Sequence, residues 1–207
     1  VAAMYQHLGQ AAGSRPFELE VSVDETEQPT SHAEHLYIAS GLKRLGVQWV
    51  SLAPRYIGRF EKGVDYIGDL GEFESAFAQH AAIARGFGPY KLSINSGSDK
   101  FSVYPIVARY TRRLAHLKTA GTSYLEALRV LAAKVPDFFR EILDYSRGLY
   151  ETEKKSYHVS ADVNRVKSGK EYTDPQLLQL FLNDDARQVL HVTFGRVLTE
   201  KKTDGSF

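Results

Sequence analysis

A carboxylate placed among cations on the polar face of a strand is the first candidate for chemistry in this chain. Glu20 lies mid-strand in Phe17–Asp24 (FELEVSVD), where Glu18, Glu20, Ser22 and Asp24 share one face and Phe17, Leu19, Val21 and Val23 the other. A carboxylate there can donate or accept a proton, or bind a hard or borderline divalent cation. It can equally be one half of a structural ion pair with Lys91 or Lys118, because charge removed from water is costly unless paired or used. The same polar character recurs downstream: Asp24-Glu25-Thr26, Pro54-Arg55, Arg59-Phe60-Glu61-Lys62-Gly63, Asn95-Ser96-Gly97-Ser98-Asp99-Lys100, and His116, Lys118 and Thr119-Ala120-Gly121-Thr122.

The Ser-Gly-Ser-Asp-Lys run invites an anion through its backbone N–H groups and Lys100, or is a plain turn ahead of a helix. It lacks Walker spacing. The seven histidines are scattered and no HExxH occurs. His32 and His35, three apart on one helix, are expected to decorate an exposed face. His191, in Gln188–Gly195, either reaches a site or is a hydrogen-bonded core histidine, the commoner fate. Phe73, Phe77, Phe138 and Phe139, at helical spacing, are expected in the core.

The elements that position these residues alternate. Strands are expected at Phe17–Asp24, Val47–Ala53, Tyr90–Asn95 and Ala115–Ala120. Helices are expected at Ser31–Gly46, with Ser31 and Glu34 as a capping box and Gly46 as C′, within Gly71–Gly88, and over Phe101–Arg113 with Pro105 in its first turn. A longer helical region from Ser123 to about Lys155 breaks at Pro136. A short extended piece at Tyr157–Ala161, a helix around Pro175–Phe181 and a final segment, Gln188–Leu198, follow.

Four successive strand–helix units call for a parallel α/β sheet with right-handed crossovers. Parallel strands covered on both faces should be near-continuous apolar runs, and these alternate. A polar inner face suits a (β/α) barrel of the TIM type, with its site at the C-terminal ends of the strands. Four units make the C-terminal half of such a barrel. Residues 1–207 are therefore expected to be a single partial domain of a longer enzyme, needing an N-terminal half, covalent or as a partner chain, to cover its edges and inner face. An antiparallel sheet with one wet face is the alternative, disfavoured by the intervening helices.

Composition narrows the function. Of 207 residues, 43% are hydrophobic and 25% charged, the balance of an ordinary globular chain able to bury a core. The net charge of +1, without any long basic run, argues against nucleic acid as partner. No cysteine is present, which excludes disulfides and thiolate chemistry. Apolar stretches are too short and interrupted to span a bilayer, and Val1–His7 has no signal-peptide pattern, so a cytoplasmic setting is expected.

Phe17–Thr26 (FELEVSVDET), Ser51–Asp69 (SLAPRYIGRFEKGVDYIGD), Lys91–Tyr104 (KLSINSGSDKFSVY) and His116–Ala127 (HLKTAGTSYLEA) together resemble the tagaturonate epimerase family, and His191–Gly195 (HVTFG) is similar to a late segment of it. The resemblance implies a divalent-metal enzyme of hexuronate breakdown that interconverts tagaturonate and fructuronate, sugar acids that differ at one carbinol centre. It implies Glu20 as the catalytic carboxylate; the substrate carboxylate then needs a cation, for which Arg55, Arg59, Lys100 or Lys118 is available. The metal, of zinc, manganese or nickel type, would be held by residue 95 and by His191. The family pattern has His where this chain has Asn95, which offers only a carbonyl oxygen and puts metal affinity in question.

The inverted carbon is β to the ketone, so enolisation alone does not reach its C–H. Retro-aldol cleavage between the α and β carbons, rotation of the aldehyde and re-addition would invert it. The metal would serve as Lewis acid at the enolate oxygen. A neutral ketose 4-epimerase, acting on fructose and tagatose, and a non-catalytic fragment disabled at Asn95 are the competing expectations.

Overall fold

The computed structural model describes residues 1–201. It contains four parallel strands, β1 (Glu20–Val23), β2 (Ser51–Pro54), β3 (Lys91–Ile94) and β4 (Ala115–Leu117), in the order β1-β2-β3-β4. The register pairs Glu20 with Ser51, Leu52 with Leu92, and Ser93 with His116. The expected parallel α/β sheet is therefore present, with strands shorter than the alternation suggested. Tyr157, at the start of the expected extended piece, has extended backbone.

Contacts group the chain into two compact units. The first comprises Val1–Arg59, Tyr66–Gly97 and Phe101–Lys118; the second comprises Phe60–Asp65, Ser98–Lys100 and the chain from Thr119 onward.

The first unit holds the sheet with α1 (Ala2–Ala12), α2 (His32–Arg44), α3 (Leu70–Phe87) and α4 (Tyr104–Thr111). Helix α2 begins at the expected capping box: Glu34 N–H donates to Ser31 Oγ, and Ser31 N–H donates back to the Glu34 carboxylate at 2.7 Å. It ends as Gly46, at φ +69°, donates its N–H to Lys43 O, a left-handed position that suits glycine. Helix α3 starts on Asp69, whose carboxylate accepts from Glu72 N–H. Phe73, Phe77, Ala81 and Ala84 of α3 are buried with Val21, Leu52, Leu92 and Ile94 of the strands. The apolar strand face thus packs on helices, as alternation dictates, and the polar face is left for chemistry. Pro105 falls in the first turn of α4, where its missing N–H costs no helical bond. Helix α1, which the sequence pattern did not mark, has no buried residue.

The second unit is helical. Its elements are α5 (Thr122–Lys134), α6 (Pro136–Glu153), α7 (Asp174–Gln179), α8 (Asp184–Val192) and α9 (Phe194–Thr199). Pro136 separates α5 from α6, because it cannot continue the α5 hydrogen-bond ladder. The core is Leu125, Leu128, Phe139, Leu143, Tyr150, Leu177, Val189 and Leu190. Phe139 is fully buried, whereas Phe138, expected beside it in the core, is 40% exposed. Adjacent helical positions point about 100° apart, so one apolar stripe cannot take both.

Candidate active site

The polar sheet face of the first unit converges on Glu20. Its Oε2 accepts from Ser51 Oγ at 2.5 Å and from His116 Nδ1 at 2.6 Å, and its Oε1 pairs with Lys118 Nζ at 2.5 Å. Ser93 Oγ lies 3.3 Å from the same imidazole nitrogen. One residue from each strand thus meets one carboxylate, and the parallel register explains it: Ser51 is opposite Glu20, and Ser93 opposite His116. Burial pushes the Glu20 pKa up, but hydrogen bonds from Lys118, Ser51, His116 and Ser93 together outweigh it and hold the group at about 2. Glu20 is a firmly held anion near neutral pH. Of the two partners considered for an ion pair, Lys118 provides it, while Lys91 is exposed.

Two residues further along β1, Ser22 donates to Asp24 Oδ1 at 2.5 Å, and Asn95 Nδ2 donates to Asp24 Oδ2 at 2.7 Å and to Ser22 at 3.0 Å. The Asn95 carbonyl oxygen is buried with no hydrogen-bond partner. This is the donor a hard cation would use, and one carboxylate, Asp24, stands beside it. It makes only one corner of a site: among the described residues no group of three His, Asp or Glu side chains is arranged to hold a metal. The described residues do not by themselves fit the divalent ion that the resemblance implies.

Arg55 follows β2, is partly buried, and has a guanidinium with no partner among the described residues; its backbone closes on Thr30 in two hydrogen bonds, 2.8 and 2.9 Å. Arg59 is exposed and its backbone pairs with Ile67.

Two expected site residues instead form part of the interior of the second unit. Lys100 is fully buried, and its ammonium donates to the carbonyls of Glu61 (2.8 Å), Val64 (2.5 Å) and Ser98 (3.0 Å). An ammonium has three hydrogens, so these bonds use the whole donor set. Lys100 therefore fixes the Phe60–Asp65 loop and is not placed to grip a substrate anion; burial, the largest influence, lowers its pKa to about 8. Ser98 is likewise engaged, exchanging hydrogen bonds with the Ala120 N–H and carbonyl. The Lys100 and Ser98 side chains of this run are thus engaged with backbone groups of the second unit.

His191, on α8, is 1% exposed. Its Nε2 lies 2.7 Å from the Ala120 carbonyl, which only accepts, so Nε2 carries the hydrogen. Nδ1 is buried without a partner, and burial first of all keeps the ring neutral by lowering its pKa. A neutral imidazole oriented through one nitrogen with its other lone pair unused could ligate. Its second unit supplies no three-ligand group among the described residues.

The expectation for His35 is overturned. It is fully buried, its Nδ1 lies 2.9 Å from His80 Nδ1, and its Nε2 lies 2.7 Å from the Tyr90 hydroxyl. His35, Ala39 and Leu42 form the buried stripe of α2, and the imidazole fits there because both its nitrogens find partners.

The chain is thus a four-stranded parallel α/β sheet that carries a carboxylate, imidazole and ammonium cluster on its polar face. A family profile described as tagaturonate epimerase matches residues 1–207, and the chain belongs to that family. A tagaturonate/fructuronate epimerase from Thermotoga maritima is 50% identical over 184 residues, covering 89% of this chain and 38% of that protein. The crystal structure of fructuronate-tagaturonate epimerase UxaE from Cohnella laeviribosi in complex with one glycerol superposes with a TM-score of 0.93 at 45% identity, covering 99% of this chain and 41% of that one. The native crystal structure of the same enzyme gives 0.92 at 43% identity, covering 99% and 42%. The resemblance carried by the four strand-end motifs is borne out. The chain spans about two fifths of the length of these relatives, 38% to 42%.

The described helices include none long and apolar enough to cross a membrane.

Proposed function

We propose that this chain is the portion of a tagaturonate/fructuronate epimerase that carries the proton-transfer machinery, and that its four strand–helix units are half of a (β/α) barrel completed by the remainder of the enzyme. The observation that supports this most directly is the convergence of Ser51 from β2, and His116 and Lys118 from β4 and its end, on Glu20 of β1 across the polar face of the sheet. A set of polar groups from successive strands, in a family of sugar-acid epimerases, is what a substrate with several hydroxyls and a carboxylate requires.

The reaction is proposed as retro-aldol cleavage and re-addition. The hydroxyl on the carbon to be inverted loses its proton as the bond between the α and β carbons breaks; the electron pair passes to the ketone fragment as an enolate, and the hydroxyl carbon becomes an aldehyde. Rotation exposes the other aldehyde face. The enolate attacks it, and the proton returns. Glu20 is the carboxylate on which this proton machinery is built, Lys118 offsets negative charge beside it, and Arg55, which follows β2, is the proposed partner of the substrate carboxylate.

The test is direct assay of the intact protein with tagaturonate and fructuronate, alongside fructose and tagatose, in heavy water. Interconversion of the acids with no deuterium at the inverted carbon supports the proposal. Deuterium at that carbon sinks the retro-aldol route, and turnover of the neutral sugars alone moves the assignment to a ketose 4-epimerase.

A further inference from the structure

We propose that Ser51 and His116 are positioning residues that hold Oε2 of Glu20 in place, so that Oε1, the oxygen shared with Lys118, is the one that exchanges the substrate hydroxyl proton; this rests on the epimerase reading above.

Each oxygen of an ionised carboxylate has two lone pairs and can accept two strong hydrogen bonds. Oε2 of Glu20 accepts from Ser51 Oγ at 2.5 Å and from His116 Nδ1 at 2.6 Å, which occupies both. The carboxylate only accepts, so His116 Nδ1 carries the hydrogen. Ser93, the last in strength of the donors to this carboxylate, has its Oγ 3.3 Å from that same nitrogen, beside the Oε2 contact. On Oε1 the contact is Lys118 Nζ at 2.5 Å, which takes one lone pair and leaves the other for a ligand.

Burial divides the two oxygens in the same way. Ser51 is 2% exposed and Ser93 is fully buried, so the anchors of Oε2 belong to the body of the sheet. His116 is half exposed, but the nitrogen it offers is spent on Oε2. The Lys118 side chain, on Oε1, is 40% exposed. Strand pairing supplies the anchors: Ser51 lies opposite Glu20, and Ser93 opposite His116. Groups carried on paired strands hold a proton acceptor at one orientation, which is what a directed proton transfer requires.

The step balances without oxidant or co-reactant. Oε1 takes the hydroxyl proton as the hydroxyl oxygen becomes the aldehyde carbonyl and the carbon–carbon bond pair moves to the enolate. The same oxygen returns that proton to the alkoxide when the bond re-forms on the opposite face. Lys118 keeps two hydrogens beyond the one on Oε1 and can turn them to the enolate as negative charge leaves Glu20.

The experiment compares the intact protein with its Ser51→Ala, Ser51→Thr, His116→Ala and His116→Asn variants, assayed with tagaturonate and fructuronate. S51A and H116A each remove one anchor from Oε2. S51T keeps the hydroxyl, and H116N offers an amide N–H in place of the Nδ1 hydrogen. S51A and H116A are expected to lose about 10- to 100-fold in kcat with KM within about twofold of wild type, and S51T and H116N to recover most of each loss. Ser51 lowers the Glu20 pKa, so in S51A the acidic limb of kcat/KM should move to higher pH, and S51T should move it back. His116 is half exposed, so its two variants test the anchor without a buried substitution. A kcat at or above wild type in S51A and H116A overturns the proposal, because an Oε2 that exchanged the proton itself would gain a free lone pair on losing its donors. A loss of kcat in S51A with the acidic limb unmoved, or an H116N as slow as H116A, overturns it as well. Absence of acid epimerisation in the wild type would instead remove the functional reading on which it rests.

Discussion

His35 and His80 face each other nitrogen to nitrogen, Nδ1 to Nδ1 at 2.9 Å, inside the packing of α2 on α3. Only one of the two nitrogens carries hydrogen, since a contact of this length between two N–H groups is repulsive. Burial first, then neighbouring histidines, lowers the pKa of His35 to about 4 and of His80 to about 3. The groups around the pair are His32, 4.6 Å from His80 between ring centroids, and the phenols of Tyr90 and Tyr56.

Both histidines bind protons more readily in the unfolded chain, near 6.5, than in the folded one. Folding stability is therefore highest above about pH 6.5 and falls as the pH drops toward 4 and 3. The expected loss between pH 6.5 and 5 is on the order of 2–4 kcal/mol. Thermal melts at pH 7.5 and pH 5 would show it, and the His80→Phe variant should have a smaller pH dependence than wild type.

Glu20 responds to its ammonium partner. In a Lys118→Met variant its pKa should rise from about 2 toward the ordinary value of 4.5, because the strongest donor is gone while burial remains. The folded pKa lies below the unfolded one, so the stability from this group is present above about 4.5 and fades as the pH falls toward 2. Side-chain ¹³C titration of the carboxyl measures the shift. A Glu20 pKa unchanged by the substitution would show that Ser51 and His116 suffice to hold the anion.

Gly121 and His191 are matched in the second unit. Gly121 sits at φ +87°, and a Cβ there would lie 2.2 Å from His191 Nε2. The Gly121→Ala variant combines a left-handed backbone with a displaced imidazole and a broken bond to Ala120. A loss of about 2–4 kcal/mol is expected in chemical denaturation. The His191→Ala, Gly121→Ala double variant should lose less than the sum of the two singles, because the clash disappears with the ring.

Arg55 is expected to act on binding. With its guanidinium unpaired among the described residues, Arg55→Ala should raise KM for the sugar acids by about 10- to 100-fold while leaving melting temperature near wild type. Arg55→Lys, a point charge without the planar fork, should fall between the two. Equal KM in wild type and R55A would place the substrate carboxylate elsewhere.

Much of this was legible in the amino-acid order. Alternation in FELEVSVD assigned Glu20 to the polar face, Ser31 with Glu34 and Gly46 set the ends of α2, and Pro136 divided α5 from α6. These are local effects, decided by backbone dihedrals and hydrogen bonds within a few residues, and the strand-end motifs carried the family with them. The partners of those side chains were decided only by the tertiary structure. Ser51 is 31 residues from Glu20 and His116 is 96 away, so their meeting depends on strand register. The same polar types went elsewhere where the fold supplied partners: Lys100 to three carbonyls, His35 to His80 and Tyr90. Periodicity states which way a side chain points; whether it becomes site or core depends on the groups that long-range packing brings within hydrogen-bond reach, because a buried polar group is stable only where such partners arrive.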